Sequence, residues 1–263
     1  MSAVAGLAFD QLATEYDALW TTSAIGRLQR AAVWNRIDAL VKPGDRVFDL
    51  GCGTGEDALH MMERGAVVYG IDASREMVRV ARARGINAQH LTIESLESGI
   101  GTRTSSGTEL ESATSQFDGA ISNFGALNCV TDLEGVANAL GRLIRSGGYL
   151  AICLMGATCA WETGHFLLRG EARKAFRRWR RGGTLSTLGI RVTYPKVRQV
   201  HRAFQPWFKR ASCCGIGLCV PPSYIGQLRQ TTLVRLARID AAIAWWPMLR
   251  ALSDHQLHVF ERI

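Results

Sequence analysis

Short apolar runs alternate with segments of helical periodicity over the first 155 residues. The run at 46–50 ends at a cluster of glycines, and apolar residues then recur at helical spacing over 55–64. The same pattern predicts strands at 46–50, 67–71, 87–91, 117–122 and 149–155, and helices at 55–64, 74–84 and 132–145. This alternation predicts an α/β fold, a doubly wound parallel sheet with helices on both faces.

The two ends of the chain depart from this alternation. Apolar side chains recur near helical spacing from Ile25 to Leu40, so residues 1–43 are predicted to form a helical cap. At the other end, strands are predicted at 207–214 and 256–262. We interpret residues 1–263 as one domain.

Two long segments interrupt the pattern after the fifth strand. They are 156–206, with a predicted basic helix at 169–181 and a strand at 189–197, and 215–252. Insertions at the carboxyl edge of such a sheet lie above its ligand crevice, so both are predicted to form a substrate lid. Residues 97–116, rich in Gly, Ser and Thr, are predicted to be a long mobile loop.

The positive charge is concentrated in one insertion. The chain has a net charge of +8, but residues 169–210 hold 13 Lys or Arg and one acid, a net +12. Such a segment can dock on RNA, on an anionic membrane or on an acidic substrate, or it can be a solvated amphipathic helix with Ala172, Ala175, Phe176 and Trp179 packed inward. No aromatic and basic residues alternate as in an RNA-binding groove, so nucleic acid is the less favoured partner.

Composition also bears on the compartment. No signal peptide is predicted, and the most apolar late stretch, 233–252, carries too many charges to span a bilayer, although peripheral membrane contact stays open. Seven scattered cysteines predict reduced thiols and a cytoplasmic protein. The "CCGIGLC" stretch has no paired C-x-x-C and no nearby histidine, so no metal is predicted.

The glycine turn "VFDLGCGTGEDA" is the most informative stretch. Gly51, Gly53 and Gly55 stand between a strand and a helix, where a nucleotide usually meets the backbone. The spacing is G-x-G-x-G, and Asp49 with the Glu56-Asp57 pair would repel a pyrophosphate. The turn therefore favours a nucleoside that carries positive charge.

A second acid follows at the end of the next strand. Asp72 lies 21 positions after Gly51, where an acid can bind ribose hydroxyls. The alternative is that Asp72 only caps the helix that starts near Ser74.

Together these stretches resemble a known family. "DLGCGTGEDA" and "GIDASREMVRVAR" are similar to motif I and the acidic-loop motif of class I S-adenosylmethionine-dependent methyltransferases, with weaker similarity over nearly the whole chain. The resemblance is to bacterial small-molecule members. It implies a Rossmann-like, mostly parallel seven-stranded sheet with an antiparallel last strand, and S-adenosylmethionine (SAM) as cofactor.

The resemblance also implies which residues contact the cofactor. Motif positions place Asp49, Gly51, Cys52 and Gly53 at the nucleoside and amino-acid portions, Asp72 at the ribose, Ala73 and Met77 at the adenine, and Asn123 at the methionine moiety. The family's usual acid after strand three is represented by Ile93 and Glu94 in "HLTIESL", which lacks the common "GDA" form. Tyr16 and Arg30 are candidates to close over the cofactor, with a solvent-facing Arg30 as the alternative.

Catalytic residues are harder to identify, because the sulfonium is already an activated methyl donor. A general base is needed only when the acceptor must lose a proton. His165 and Tyr194 in the first insertion are the candidates, with structural roles as the alternatives.

The sequence thus predicts a SAM-dependent methyltransferase for a small hydrophobic or anionic molecule. The alternatives are an RNA or protein methyltransferase that docks through residues 169–210, and a catalytically silent cofactor-binding protein.

Overall fold

A computed structural model describes residues 3–97, 116–225 and 228–263. Seven strands form one sheet, namely β1 (Arg46–Leu50), β2 (Val67–Asp72), β3 (Asn87–His90), β4 (Phe117–Ser122), β5 (Ile144–Met155), β8 (Phe208–Ile216) and β9 (His255–Arg262). Their order across the sheet is β3-β2-β1-β4-β5-β9-β8. Strands β1 to β5 pair in parallel, whereas β9 runs antiparallel to both β5 and β8. The predicted fold, a doubly wound sheet with an antiparallel last strand, is confirmed.

The helices that follow the strands close both faces of the sheet. The N-terminal region and the alternating half contain α1 (Ala3–Asp10), a π-helical turn (Asp17–Thr21), α2 (Ala24–Ile37), α3 (Glu56–Glu63), α4 (Arg75–Ala83), α5 (Ile93–Glu97) and α6 (Leu133–Leu143). Neighbouring strand residues point to opposite faces, so Val47 packs in one buried cluster with Val33 and Met61, while Phe48 packs in another with Phe117.

Two aspartates attach the N-terminal region to the sheet. Asp10 accepts hydrogen bonds from Ser74 Oγ at 2.5 Å and from the Glu76 N–H at 3.1 Å. Asp17 accepts one from Thr54 Oγ1 at 2.7 Å and pairs with Arg84. These contacts hold the N-terminal region against the corners that follow β1 and β2, at the carboxyl edge of the sheet.

The insertions contain more helix than the sequence predicts. They hold α7 (Ala160–Leu168), α8 (Ala172–Ala175), a 3-10 turn (Arg177–Trp179), β6 (Thr184–Leu185), β7 (Arg191–Val192), α9 (Val197–Phe204), α10 (Gln230–Ile243) and α11 (Pro247–Arg250). Helices α7 and α9 are missing from the prediction, and the predicted strand at 189–197 is reduced to a two-residue pairing of β7 with β6.

The prediction of one continuous basic helix at 169–181 is wrong. The segment breaks between α8 and the 3-10 turn, which changes the direction in which its side chains point. Trp179, predicted to pack inward, is 60% exposed, and Arg178 is buried instead. Arg178 is buried because it forms ion pairs with the buried carboxylates of Glu162 and Asp254.

Two further predictions concern the surroundings of this fold. The predicted mobile loop at 97–116 lies outside the described residues, except at its two ends. Among the described helices, none combines the length and apolar character that a bilayer crossing requires.

Candidate functional site

The glycine turn between β1 and α3 has a backbone that few other residues could adopt. Gly51, Gly53 and Gly55 have φ angles of 75°, 53° and 87°, in the left-handed region. A side chain at Gly51 would also collide with the Cβ of Ala126, whereas the space beside Gly53 is open. The turn therefore presents bare backbone to an adjoining cavity.

Asp72, the last residue of β2, joins two loops at that cavity. One carboxylate oxygen accepts from the Gly53 N–H at 3.0 Å, and the other accepts from the Ser74 N–H at 2.8 Å. The N-cap of α4 is Ser74, whose Oγ accepts from the Met77 N–H. Asp72 is therefore not the helix cap, and its buried carboxylate forms part of the cavity wall.

Further acids lie behind the turn. Burial, together with Asp57, raises the pKa of Asp49 well above its usual value, and no described group is within hydrogen-bonding distance of its Oδ2. Arg30 forms an ion pair with Asp57, which also accepts from Trp34 Nε1 at 2.7 Å. The raised pKa of Asp49 favours its neutral form and Asp57 is paired with Arg30, so neither acid offers a free negative charge to a ligand at the turn.

The segment after β4 is strained where it meets the cavity. Phe124 has a φ of 50°, which is uncommon for a residue with a side chain. Its ring lies 5.0 Å from the Arg30 guanidinium and meets the ring of His255 edge-on at 5.3 Å. Next to it, neither side-chain atom of the buried Asn123 has a partner among the described residues. Polar atoms left in this way at a strained turn indicate a place for a ligand.

One cavity of about 590 Å³ joins these features to the insertions. Its wall includes eight of the residues that the sequence singles out as candidates, namely Tyr16, Arg30, Gly51, Gly53, Asp72, Met77, Asn123 and Tyr194. Burial raises the pKa of the Tyr16 phenol, and Asp57 raises that of Arg30 although burial opposes the charge.

Six predicted site residues do not belong to the described cavity wall. The Cys52 thiol packs towards Gly70 in the sheet, and Ala73 packs against Gly6 of α1. Ile93 lies in the apolar core, while His165 packs edge-on against Phe166, and it is Phe166 that reaches the cavity. Asp49 and Glu94 are the remaining two of the six, and neither lies in the described cavity wall. Their predicted roles gain no support from their positions.

An ionic cluster centred on the buried Arg178 lies where the insertions line the cavity. Arg178 donates to Glu162 Oε2 at 2.8 Å and to Asp254 Oδ1 at 2.7 Å, and Arg177 donates to Glu162 Oε1 at 2.6 Å. The Tyr224 hydroxyl also donates to Glu162. Although burial opposes charge, the arginines lower the pKa of Glu162, and Asp254 with Glu162 raises that of Arg178.

His255, the first residue of β9, connects this cluster to the cavity. Its Nδ1 lies 3.2 Å from Asp254 Oδ2, and its ring is part of the cavity wall. Burial opposes ionisation of Asp254, but His255 and Arg178 nevertheless lower its pKa. Sequence reasoning missed Phe124, Arg178 and His255. The signal for His255 was the antiparallel last strand, because such a strand begins at the carboxyl edge of its parallel neighbours.

Comparisons with known proteins agree with this geometry. Residues 41–180 match the model of a methyltransferase domain family. The chain is 32% identical over 147 residues to a demethylmenaquinone methyltransferase of Corynebacterium kroppenstedtii. The aligned region covers 55% of this chain and 57% of that protein. The chain is also 35% identical over 150 residues to a ubiquinone/menaquinone biosynthesis C-methyltransferase of Xanthomonas oryzae, and that aligned region covers 54% and 55%. The chain thus spans about half the length of the curated relatives it matches.

Solved structures share the fold at lower identity. A SAM-dependent methyltransferase from Thermotoga maritima aligns with a TM-score of 0.60 at 16% identity, over 97% of this chain and 99% of the other. One from Mesorhizobium loti aligns with a TM-score of 0.54 at 20% identity, over 89% and 100%. These likenesses support the fold.

Proposed function

This chain belongs to the class I SAM-dependent methyltransferases, and we propose that it transfers a methyl group from SAM to a small apolar acceptor. The observation that carries the proposal is the single cavity, which runs from the glycine turn to both insertions. A donor at the turn and an acceptor beneath the insertions would share one cavity. Direct transfer requires that arrangement, because the two reacting groups must be aligned with water excluded.

The cavity's first end fits the cofactor. Gly51 and Gly53 offer bare backbone, Asp72 offers a carboxylate for the ribose hydroxyls, and Asn123 offers a buried amide that has no partner among the described residues. The cofactor supplies the activated methyl group. The G-x-G-x-G spacing of the turn departs from the dinucleotide fingerprint, which disfavours NAD.

The second end favours an apolar acceptor over an anionic one. Arg177 and Arg178 line the cavity, yet their guanidinium groups are already bound by Glu162 and Asp254. An anionic acceptor would have to displace those carboxylates, which are buried with them. The remaining wall is largely apolar and aromatic, including Phe9, Phe124, Met155, Phe166, Ile190 and Val192.

His255 is the group we propose to take a proton from the acceptor. Its ring is in the cavity wall, and Asp254, fixed by Arg178, lies beside Nδ1. A carboxylate beside an imidazole can orient the ring for proton transfer. Among the described residues, the Arg30 guanidinium contacts the same Phe124 ring that meets His255. The acceptor would then be a phenol, an enol or a similar acid.

The rate of methyl transfer tests this role. His255→Gln should reduce kcat by about 100-fold or more on an acceptor that must lose a proton, while leaving affinity for S-adenosylhomocysteine (SAH) unchanged. An equal loss of rate on an acceptor that has no proton to lose would show that His255 only positions other groups.

The function itself is tested by binding followed by turnover. Calorimetry should show micromolar SAH binding and no NAD binding, and labelled SAM should transfer its methyl group to a member of a panel of apolar phenols and quinols. SAH binding without any turnover would favour the silent cofactor-binding alternative. Turnover on RNA or protein, lost when Arg180 and Arg181 are changed to Glu, would favour docking through the basic segment.

A further inference from the structure

Four large apolar side chains both line the cavity and face solvent. They are Trp20, Leu185, Leu188 and Tyr224, with exposed fractions of 42%, 67%, 37% and 49%. They come from the N-terminal region and from both insertions. A side chain that is in the wall and also exposed marks the opening of a cavity, so these four form an apolar rim around its mouth.

Cations border this apolar rim. Leu185 of β6 pairs directly with the exposed Arg191 of β7, and the exposed Arg180 and Arg181 precede the same hairpin. The sole acid within residues 169–210, Glu171, pairs with Lys174. The positive charge of this segment is therefore not neutralised by acids within it. We name Arg180, Arg181 and Arg191 the basic collar.

We propose that the mouth of the cavity docks on the surface of an anionic lipid bilayer. Exposed Leu and Trp side chains can insert at the boundary between headgroups and acyl chains, while arginines beside them contact lipid phosphates. Neither feature alone would identify this partner, but an apolar rim with the basic collar beside its β6–β7 part complements both layers of such a surface.

The composition of the rim distinguishes a bilayer from RNA. Single-stranded RNA is held by aromatic side chains that stack on bases and by cations along a groove. Leu185 and Leu188 offer no stacking surface, and their exposure to water is unfavourable unless an apolar phase covers them. Docking would also place the mouth of the cavity next to apolar acceptors dissolved in the bilayer. This consequence rests on the proposed function.

Vesicle co-sedimentation of the full chain tests the proposal independently of methyl transfer. Vesicles of phosphatidylcholine mixed with phosphatidylglycerol should bind the protein, and binding should weaken as salt is raised. Leu185→Ser with Leu188→Ser should weaken binding at least about tenfold. Arg180→Gln with Arg181→Gln should weaken it about fivefold for each arginine.

Met62→Ser provides the matched control. Met62 is 39% exposed at the end of α3, at the sheet edge opposite the cavity, so its loss should leave vesicle binding unchanged. Thermal unfolding would establish that each variant is folded. Binding that is insensitive to the leucine changes, or no vesicle binding at all, would overturn the proposal. Salt-sensitive binding to RNA in place of vesicles would overturn it in favour of a nucleic-acid partner.

Discussion

At the scale of single residues, Asp72 supports the first prediction. Its carboxylate holds the Gly53 and Ser74 amides and lies in the cavity wall. Charge-assisted hydrogen bonds to ribose hydroxyls are worth roughly 1.5–3 kcal/mol. Asp72→Ala should therefore weaken SAH binding by about 10- to 100-fold, measured by calorimetry.

Ser74→Ala is the matched control for that measurement. Ser74 caps α4 and is fully buried, but it is not part of the described cavity wall. Its replacement should cost about 1 kcal/mol of stability and leave affinity for SAH within about threefold of the original. Unchanged affinity in a folded Asp72→Ala protein would show that Asp72 serves only to join the two loops.

Arg178 supports a second prediction at the residue scale. It is buried between Glu162 and Asp254, so Arg178→Met would take one cationic partner from each buried carboxylate and leave Glu162 with Arg177 and Asp254 with His255. Breaking a buried pair in this way typically destabilises a protein by about 3–5 kcal/mol. Urea denaturation should show a loss of that size, whereas Arg180→Met, at an exposed position, should change little. Equal stabilities of the original protein and the Arg178→Met variant would mean that Arg178 contributes nothing net to folding.

At the scale of elements, β9 contains a titratable group that makes stability depend on pH. His258 is buried in this strand, and burial with Arg210 and Arg250 lowers its pKa to about 3 from 6.5. His201 also acts in the same direction. Below pH 6.5, His258 becomes protonated in the unfolded chain, whereas in the folded protein it stays neutral down to about pH 3. Stability should therefore fall with decreasing pH between these values, by up to about 1.4 kcal/mol per unit, and this residue contributes no slope above 6.5.

His258→Leu should remove this component. Between about pH 7 and about pH 5, urea denaturation of the original protein should show roughly 2 kcal/mol more loss than the variant shows. The comparison of slopes is independent of any change in stability that the substitution itself causes. Parallel pH profiles would indicate that His258 is protonated in the folded protein.

The elements also show which features can be derived from sequence. The β1 turn and Asp72 were predictable, because their geometry depends on glycines and strand ends close in sequence. The meeting of Arg30, Phe124 and His255 was not, because the topology brings together residues more than 90 positions apart. The prediction of a continuous basic helix was wrong for a related reason. The local sequence pattern contains no information on Glu162 and Asp254, which bind Arg178 and bury it.

At the scale of the whole molecule, the cavity joins parts that are far apart in the chain. Asp17 binds Thr54 of the glycine turn, and Phe9, Tyr16 and Trp20 line the same cavity as Tyr194 of the first insertion. A ligand that extended from the turn through the cavity would contact the sheet, the N-terminal region and the insertion together. Its binding free energy should stabilise all three against local opening.

Hydrogen exchange with and without SAH provides the last prediction. We expect SAH to slow amide exchange in residues 3–37 and 184–194 as well as in 51–74, because all three segments contribute to the cavity wall. Helix α6, which contributes no residue to the described wall, should show little change and serves as the internal control. Protection confined to 51–74 would mean that the N-terminal region and the insertion do not close over the cofactor, and that the predicted cap and lid act on the acceptor alone.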